Sequence, residues 1–321
     1  MDAAEFEKAA ERHRAELRVH CYRMLGSFDE AEDLVQETLL RAWKHRDGFE
    51  GRSTLRAWLY KIATNACLDA LEGRDRRVLP HHLGPPSSPT ADFPPTADAL
   101  WLQPFPDRLL PAEEEPEAVA VRNETLELAF LAAIQHLPPR QRAVLILRDV
   151  LGWPAKDTAA LLEGTVAATN SALQRARTTL REHLPERRLD WAPTASPSPE
   201  ELVVLRRYMD AVEGADLTAV AALLAEDARA TMPPFPLWFA GRASILEALR
   251  LSWDPSLPGY VGRFRLVLTH ANGRPAIASY TDGRPFAISL LRITGGRIVE
   301  MTAFHDPGLF PAFGLPMSFP G

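Results

Sequence analysis

Ten of the chain's 28 prolines fall between Pro80 and Pro116. Each proline fixes φ and removes a backbone donor, so PHHLGPPSSPTADFPPTADALWLQPFPDRLLPAEEEP can be neither a helix nor a central strand. The 321 residues therefore cannot form one continuous module. A second break, WAPTASPSPEE at 191–201, has the Pro/Ser/Ala composition of an interdomain hinge. The expected layout is folded blocks at 5–79, 118–188 and 200–306, a linker at 80–117, a hinge at 189–199 and a tail at 307–321. Trp101, Leu102, Phe105, Leu109 and Leu110 have little use in a purely solvated linker, which suggests that part of it docks on a folded surface.

The net charge of −6 is unfavourable for a nucleic-acid binder until it is placed along the chain. Between His81 and Glu127 there are nine acidic residues and two basic ones, so the rest of the chain is about neutral. A basic face on a folded block is compatible with that balance. Cys21 and Cys67 are too few for a disulfide framework or a four-ligand zinc site, and no metal or cofactor is expected. No window approaches the roughly 18 uncharged apolar residues of a bilayer span, and MDAAEFEKAAERHR has no signal-peptide core, so the expected location is cytoplasmic, away from membranes.

The first two blocks read as all-α. In GSFDEAEDLVQETLLRAWKH, Ser27 and Glu30 form a capping box, and Ala31, Leu34, Val35, Thr38, Leu39, Ala42 and Trp43 recur at helical spacing. STLRAWLYKIATNACLDALEGRDRR predicts a second helix with Leu55, Leu59, Ile62, Ala66 and Leu71 inside and Gly73 as cap. In the second block, PAKDTAALLEGTVAATNSALQRARTTLREHL gives a short helix, a Glu163-Gly164 turn and a longer helix, the grammar of a helix-turn-helix. Val166, Thr169, Leu173, Ala176 and Leu180 step by 3, 4, 3 and 4 and mark its inner stripe. The opposite face offers Ala167, Ala168, Ser171, Gln174, Arg175, Thr178 and Arg181, suited to a DNA groove. Pattern alone fits an ordinary helical hairpin with a solvated basic face equally well.

Together, DEAEDLVQETLLRAWKHRDGFEGRSTLRAWLYKIATNACLDAL, the proline-rich linker and LAAIQHLPPRQRAVLILRDVLGWPAKDTAALLEGTVAATNSALQRAR resemble a sigma-70-family factor of the extracytoplasmic-function (ECF) group across residues 5–184. The resemblance implies a sigma-2 domain that binds core RNA polymerase and opens the −10 element, and a sigma-4 domain that reads the −35 element of promoter DNA. It places Asp33, Gln36, Glu37 and Arg41 on the polymerase, where the bland alternative is a solvated helix face. It puts Arg52 and Ser53 where an unstacked −10 base is captured, Arg56, Lys61 and Asn65 along single-stranded phosphates, and Arg74, Arg76 and Arg77 on the upstream duplex. Trp58 fits either a stacking wedge or core. Thr165, Ala167, Ala168, Ser171, Gln174, Arg175 and Thr178 are the −35 candidates. Two departures from the family pattern, Thr169 on the buried stripe and Glu163 in the turn, bear on the orientation of the recognition helix.

The third block changes period. YVGRFRLVLTHAN, PAIASYT, RPFAISLLRIT and RIVEMTAFH alternate like strands, with Gly295-Gly296 as a hairpin turn, and helices precede them, which predicts α+β. LVVLRRYMDAVEGADLTAVAALLAEDARATMPPF resembles the opening of a SnoaL-like or ketosteroid-isomerase-like cone, in which helices close over a curved sheet around an apolar pocket. Under that resemblance Tyr208 matches the isomerases' oxyanion donor, while the base position holds Met232, which cannot accept a proton. Tyr208, Trp238, Tyr280 and His305 are the pocket candidates for a small-molecule ligand, with core packing as the alternative for the aromatic ones. The whole chain thus resembles the actinobacterial ECF subgroup with a SnoaL-like extension: a non-enzymatic sigma factor with a fused regulatory domain, whose rival is a bifunctional isomerase or hydrolase. The Pro- and Phe-rich tail DPGLFPAFGLPMSFPG is a candidate strap holding the third domain against the other two.

Overall fold

The computed structural model describes residues 3–49, 51, 53–90, 95–111, 125–184 and 199–319. The chain separates into two compact units, one from Met1–Arg77 with Leu109–Pro193 and one from Val78–Arg108 with Thr194–Gly321. No helix among the described residues is long and apolar enough to cross a membrane.

The first unit is helical. Its helices are α1 (Ala3–Glu11), α2 (Arg14–Leu25), α3 (Phe28–Lys44) and α4 (Leu55–Leu71), then α5 (Leu128–Ile134), α6 (Pro139–Leu145), α7 (Ala155–Leu161) and α8 (Val166–His183). A π-helical turn, Ile146–Val150, comes directly after α6. Ser27 caps α3 by accepting from the Glu30 N–H, and Gly26, at φ 70, ends α2 in the left-handed region that glycine favours. The α3 stripe buries Ala31, Val35, Thr38 and Ala42, while Leu34, Leu39 and Trp43 are half-buried at its margin. On α4 the inner stripe is rotated from the expected one: Tyr60, Ala63, Thr64 and Cys67 are buried with Leu59 and Ala66, whereas Leu55, Ile62 and Leu71 stay half-open. The reason is that α4 packs on α2 and α3 and also on α6, so two of its faces are covered. Trp58 is half-buried against Phe6 and Phe49, at 6.2 and 5.2 Å between ring centroids.

The two halves of this unit are joined by buried polar contacts. Arg142 of α6 donates to the carbonyls of Met24, Gln135 and Leu137 and to the Gln135 side chain, and burial lowers its pKa to about 10. It keeps its charge at neutral pH. Arg23 donates to the Thr125 hydroxyl at 2.7 Å, and Tyr60 meets Trp153 at 5.3 Å between ring centroids.

The second unit is α+β. Helices α9 (Pro199–Glu213), α10 (Leu217–Leu223) and α11 (Arg242–Trp253) accompany a six-stranded mixed sheet in the order β2-β1-β6-β5-β4-β3. The strands are β1 (Leu224–Thr231), β2 (Trp238–Ala240), β3 (Phe264–Ala271), β4 (Arg274–Thr281), β5 (Arg284–Thr294) and β6 (Arg297–Phe304), with only β1 and β6 parallel. Gly295 and Gly296, at φ 57 and 72, make the β5–β6 turn. The helices bury one sheet face in a cluster that includes Leu205, Val220, Ile245, Leu266, Ile277 and Met301.

Two segments that read as connector and tail occupy the other face. Leu102 and Phe105 are fully buried, and Phe105 exchanges backbone and side-chain hydrogen bonds with Asn272, both at 2.9 Å. Trp238 is held by Gly84, whose carbonyl accepts from its ring nitrogen at 3.0 Å. The tail lays Leu309, Phe310 and Phe313 into the same layer, and Arg108 donates to the carbonyls of Pro311 and Ala312. The tail therefore straps its own sheet and the connector. Leu309, Phe310 and Phe313 of the tail are spent on the sheet face that the helices leave bare, while Met317 stays exposed.

Candidate nucleic-acid interface

In the helix-turn-helix, Thr165 begins α8 by accepting from the Ala168 N–H at 3.1 Å. Thr169, Leu173, Ala176 and Leu180 are buried. Thr169 fits an otherwise apolar stripe because its hydroxyl donates back to the Thr165 carbonyl at 3.0 Å, leaving its methyl for the core. Arg177 forms a two-pronged ion pair with Asp149 at 2.7 and 2.8 Å, which ties α8 to the turn after α6. Thr165, Ala167, Ala168, Ser171, Gln174, Arg175 and Thr178 are all exposed. Among the described residues the Arg175 guanidinium has no hydrogen bond or ion pair. One member of the expected stripe is misplaced: Val166 is 43% exposed, because no helical turn precedes it to pack against.

The expected −10 cations are, by contrast, engaged inside the chain wherever they are described. Arg56 bonds Glu16 at 2.7 Å and lies 4.9 Å from the Tyr60 ring centroid. Lys61 reaches Glu163 at 2.9 Å, and that contact holds the Glu163 carboxyl below its usual range. Arg74 and Arg77 share Glu30 at 3.0 and 2.7 Å. Arg76 contacts the His136 ring, which stacks on His183 at 3.6 Å between centroids. Asn65 is half-buried and Ser53 exposed, while Arg52 lies outside the described residues. On α3, Asp33 and Gln36 are exposed, Glu37 pairs with Arg41 at 2.5 Å, and Leu40 stands 60% exposed on the same surface.

The four pocket candidates divide between the two faces of the sheet. Ile277 belongs to the helix-covered cluster, so strand alternation puts Tyr280 on the opposite face, where its hydroxyl donates to the Pro316 carbonyl at 3.0 Å. Trp238 pairs with Thr231 on that face as well. These two are corrected to the connector-and-tail side. Tyr208 and His305 face the helix-covered interior: Tyr208 packs on the apolar cluster with Met232, Phe235 and Trp253, and His305 lies 5.9 and 4.7 Å from the Phe235 and Phe286 ring centroids. Burial raises the Tyr208 pKa to about 12 and lowers that of His305 to about 4, so both are neutral at pH 7. His305 Nε2 and Trp253 Nε1 are buried without hydrogen-bond partners among the described residues. Trp253 is absent from the sequence-based candidates; as the last residue of an amphipathic helix it carries no local signal that distinguishes a lining residue from core.

A two-part helical unit ending in a helix-turn-helix, with cations along α4 and an acidic-basic α3 surface, defines a sigma-type transcription factor. The Sigma-70 region 2 family matches residues 9–77, Sigma-70 region 4 matches 127–180, and a SnoaL-like domain matches 205–301. The chain belongs to the ECF RNA polymerase sigma factors. It is 43% identical to the ECF sigma factor SigG of Mycobacterium tuberculosis across 98% of its own length and 85% of the relative's. It is 30% identical to SigW of Bacillus subtilis over 51% of this chain and 80% of that one. The crystal structure of the M. tuberculosis ECF factor SigJ shares the fold, with a TM-score of 0.59 at 22% identity over 99% of this chain and all of that one.

Proposed function

We propose that Thr165, Ala167, Ala168, Ser171, Gln174, Arg175 and Thr178 present the −35 reading surface of this sigma factor. Arg52, Ser53, Arg56, Lys61, Asn65, Arg74, Arg76 and Arg77 serve the −10 element, and Asp33, Gln36, Glu37 and Arg41 engage core polymerase. The observation that carries the reading is the contrast between Arg175, which has no partner among the described residues, and Arg177, which is spent on Asp149. A free guanidinium midway along an exposed recognition face is suited to a guanine edge. In transcription with core polymerase, Arg175→Ala and Gln174→Ala are expected to weaken −35 binding by about 1 to 3 kcal/mol each and to relax one base position each. Unchanged promoter selectivity in both would remove them from base readout.

The C-terminal domain serves as a regulatory element that binds an uncharged, largely apolar molecule without converting it. Tyr208 and His305 are neutral, the flanking lining is apolar, and Met232 stands where a base would be required. Ligand binding then acts only through a difference in affinity between conformations. Turnover of a ketone or epoxide that Tyr208→Phe abolishes would overturn the non-enzymatic reading.

A further inference from the structure

Two buried ring nitrogens on the helix-covered side of the C-terminal sheet, Trp253 Nε1 at the end of α11 and His305 Nε2 just after β6, have no hydrogen-bond partner among the described residues. Each such group destabilises the fold unless something bound satisfies it. Around His305 the walls are aromatic. Phe235 stands 5.9 Å away at 64° and Phe286 4.7 Å away at 89°, and Phe286 in turn meets Phe264 at 5.5 Å, all between ring centroids. Phe286 reaches this side through a bulge: Ser279 pairs with Ala287 and Tyr280 with Pro285, which leaves Phe286 as the extra residue of β5. Bulges re-aim single side chains in this way. The His305 N–H donates to the Pro233 carbonyl at 2.8 Å, which holds the backbone behind the ring. Phe235, Trp253 and Phe264 pack on the covered cluster yet stay half-buried, so part of each ring is open to a small guest.

We propose that Trp253 and His305 are the polar contacts of a subsite for an uncharged hydroxylated aromatic ketone, whose carbonyl oxygen accepts from Trp253 and whose hydroxyl bonds His305. The indole N–H can only donate, so it calls for an acceptor such as a carbonyl oxygen. A neutral imidazole offers one donor and one acceptor, and a hydroxyl answers either tautomer. Phe235, Phe264 and Phe286 extend the same tilted packing to an aromatic body. Burial is the sole cause that shifts Tyr208 and His305, with no charged group contributing to either, and it lowers His305 to about 4. A carboxylate or ammonium bound there would be a buried charge without a counter-ion. The subsite rests on the reading of the C-terminal domain as a binder of an uncharged, largely apolar molecule, and it names that molecule's chemistry.

The test is calorimetric titration of the full chain with 4-hydroxybenzophenone, with benzophenone, which lacks the hydroxyl, with 4-benzylphenol, which lacks the carbonyl, and with 4-benzoylbenzoate, which is charged. The parent is expected to bind 4-hydroxybenzophenone about fivefold more tightly than either neutral analogue, the worth of one neutral hydrogen bond, and the carboxylate not at all. His305→Phe should bind 4-hydroxybenzophenone and benzophenone equally while still preferring the ketone over 4-benzylphenol. Trp253→Phe should do the reverse, keeping the preference for the hydroxyl and losing that for the carbonyl. The analogue series in the parent needs no variant, so a misfolded variant cannot mask the result. Equal affinity of the parent for the three neutral probes would overturn the subsite while the reading of an apolar binding domain stands. Preference for 4-benzoylbenzoate, or binding of none of the four, would overturn both.

Discussion

His20 shows how a single residue ties stability to pH. It is fully buried, with Nε2 at 2.9 Å from the Thr64 hydroxyl and its ring 5.0 Å from that of Tyr60. Burial first, then Arg23 and Arg56, lowers its pKa to about 3. Because the folded value lies below the unfolded one of about 6.5, the unfolded chain binds the extra proton below that pH. The stability is present above pH 6.5 and is lost as pH falls toward 3. Between pH 7.5 and 5.5 the parent is expected to lose about 1.4 kcal/mol more than His20→Gln, read by urea unfolding of the helical unit. An identical pH dependence would assign the acid lability elsewhere. The sequence shows a histidine in a helix but not this burial, because the covering side chains come from α4, more than 35 residues away in the chain. The pocket residues obey the same rule. Tyr208 and His305 lie on the helix-covered side while Tyr280 does not, since strand parity sends Tyr280 to the other face, and that parity is legible only once the register is known.

At the scale of elements, the legible parts are those governed by one strong local period. Helix α8, its cap and most of its buried stripe are set by a 3.6-residue repeat and Thr165, and the β3–β6 meander by period-2 runs with a Gly-Gly turn. Strand β1 is hidden because LAEDARAT carries Glu226 and Asp227, residue types that strands disfavour, at positions that happen to be exposed. The docking of the connector is legible in Leu102 and Phe105, but not the unit it joins, because proline forbids helix and ladder without naming a partner, and Val78–Arg108 belongs to the C-terminal unit. The rotational setting of α8 leads to a test. Asp149 sits in the π-turn, and its two-pronged bond to Arg177 is the one ion pair that ties the recognition helix to that turn among the described residues. Both groups are partly exposed, so Asp149→Ala is expected to cost only about 1 kcal/mol. Its larger effect should be on promoter choice, measured as reduced discrimination between cognate and mismatched −35 duplexes. Unaltered discrimination together with the small stability loss would show that the pair has no part in aiming the helix.

Within the helical unit the parts matched by Sigma-70 region 2 and region 4 touch each other. Lys61, in the region 2 part, lies 2.9 Å from Glu163, two residues before the N-cap of α8 in the region 4 part. By the difference of their positions, −35 and −10, the two elements are centred about 25 base pairs apart, or ~85 Å of B-form duplex at 3.4 Å per pair. On the proposed assignment of Lys61 to the −10 element and of α8 to the −35 element, no arrangement with Lys61 on Glu163 holds both, and the unit is expected to open on a promoter. The exposed Lys61–Glu163 pair contributes little to the closed state, and Glu163→Gln alone should open the unit only slightly. The buried contacts contribute more: Trp153 covers Tyr60 and lies 6.0 Å from the Arg56 guanidinium, and Arg142 bonds the end of α2. Trp153→Ala removes the aromatic contact, and by the usual cost of truncating a buried tryptophan it should weaken the closed state by about 3 kcal/mol. Fluorophores attached at exposed Asp69 and Glu182 should report a short distance in the free parent, a longer one once core polymerase and promoter DNA are added, and an intermediate average in free Trp153→Ala. That variant should also bind an isolated −35 duplex faster than the parent. A separation that stays fixed on adding polymerase and promoter would overturn the assignment of these two parts to the −10 and −35 elements.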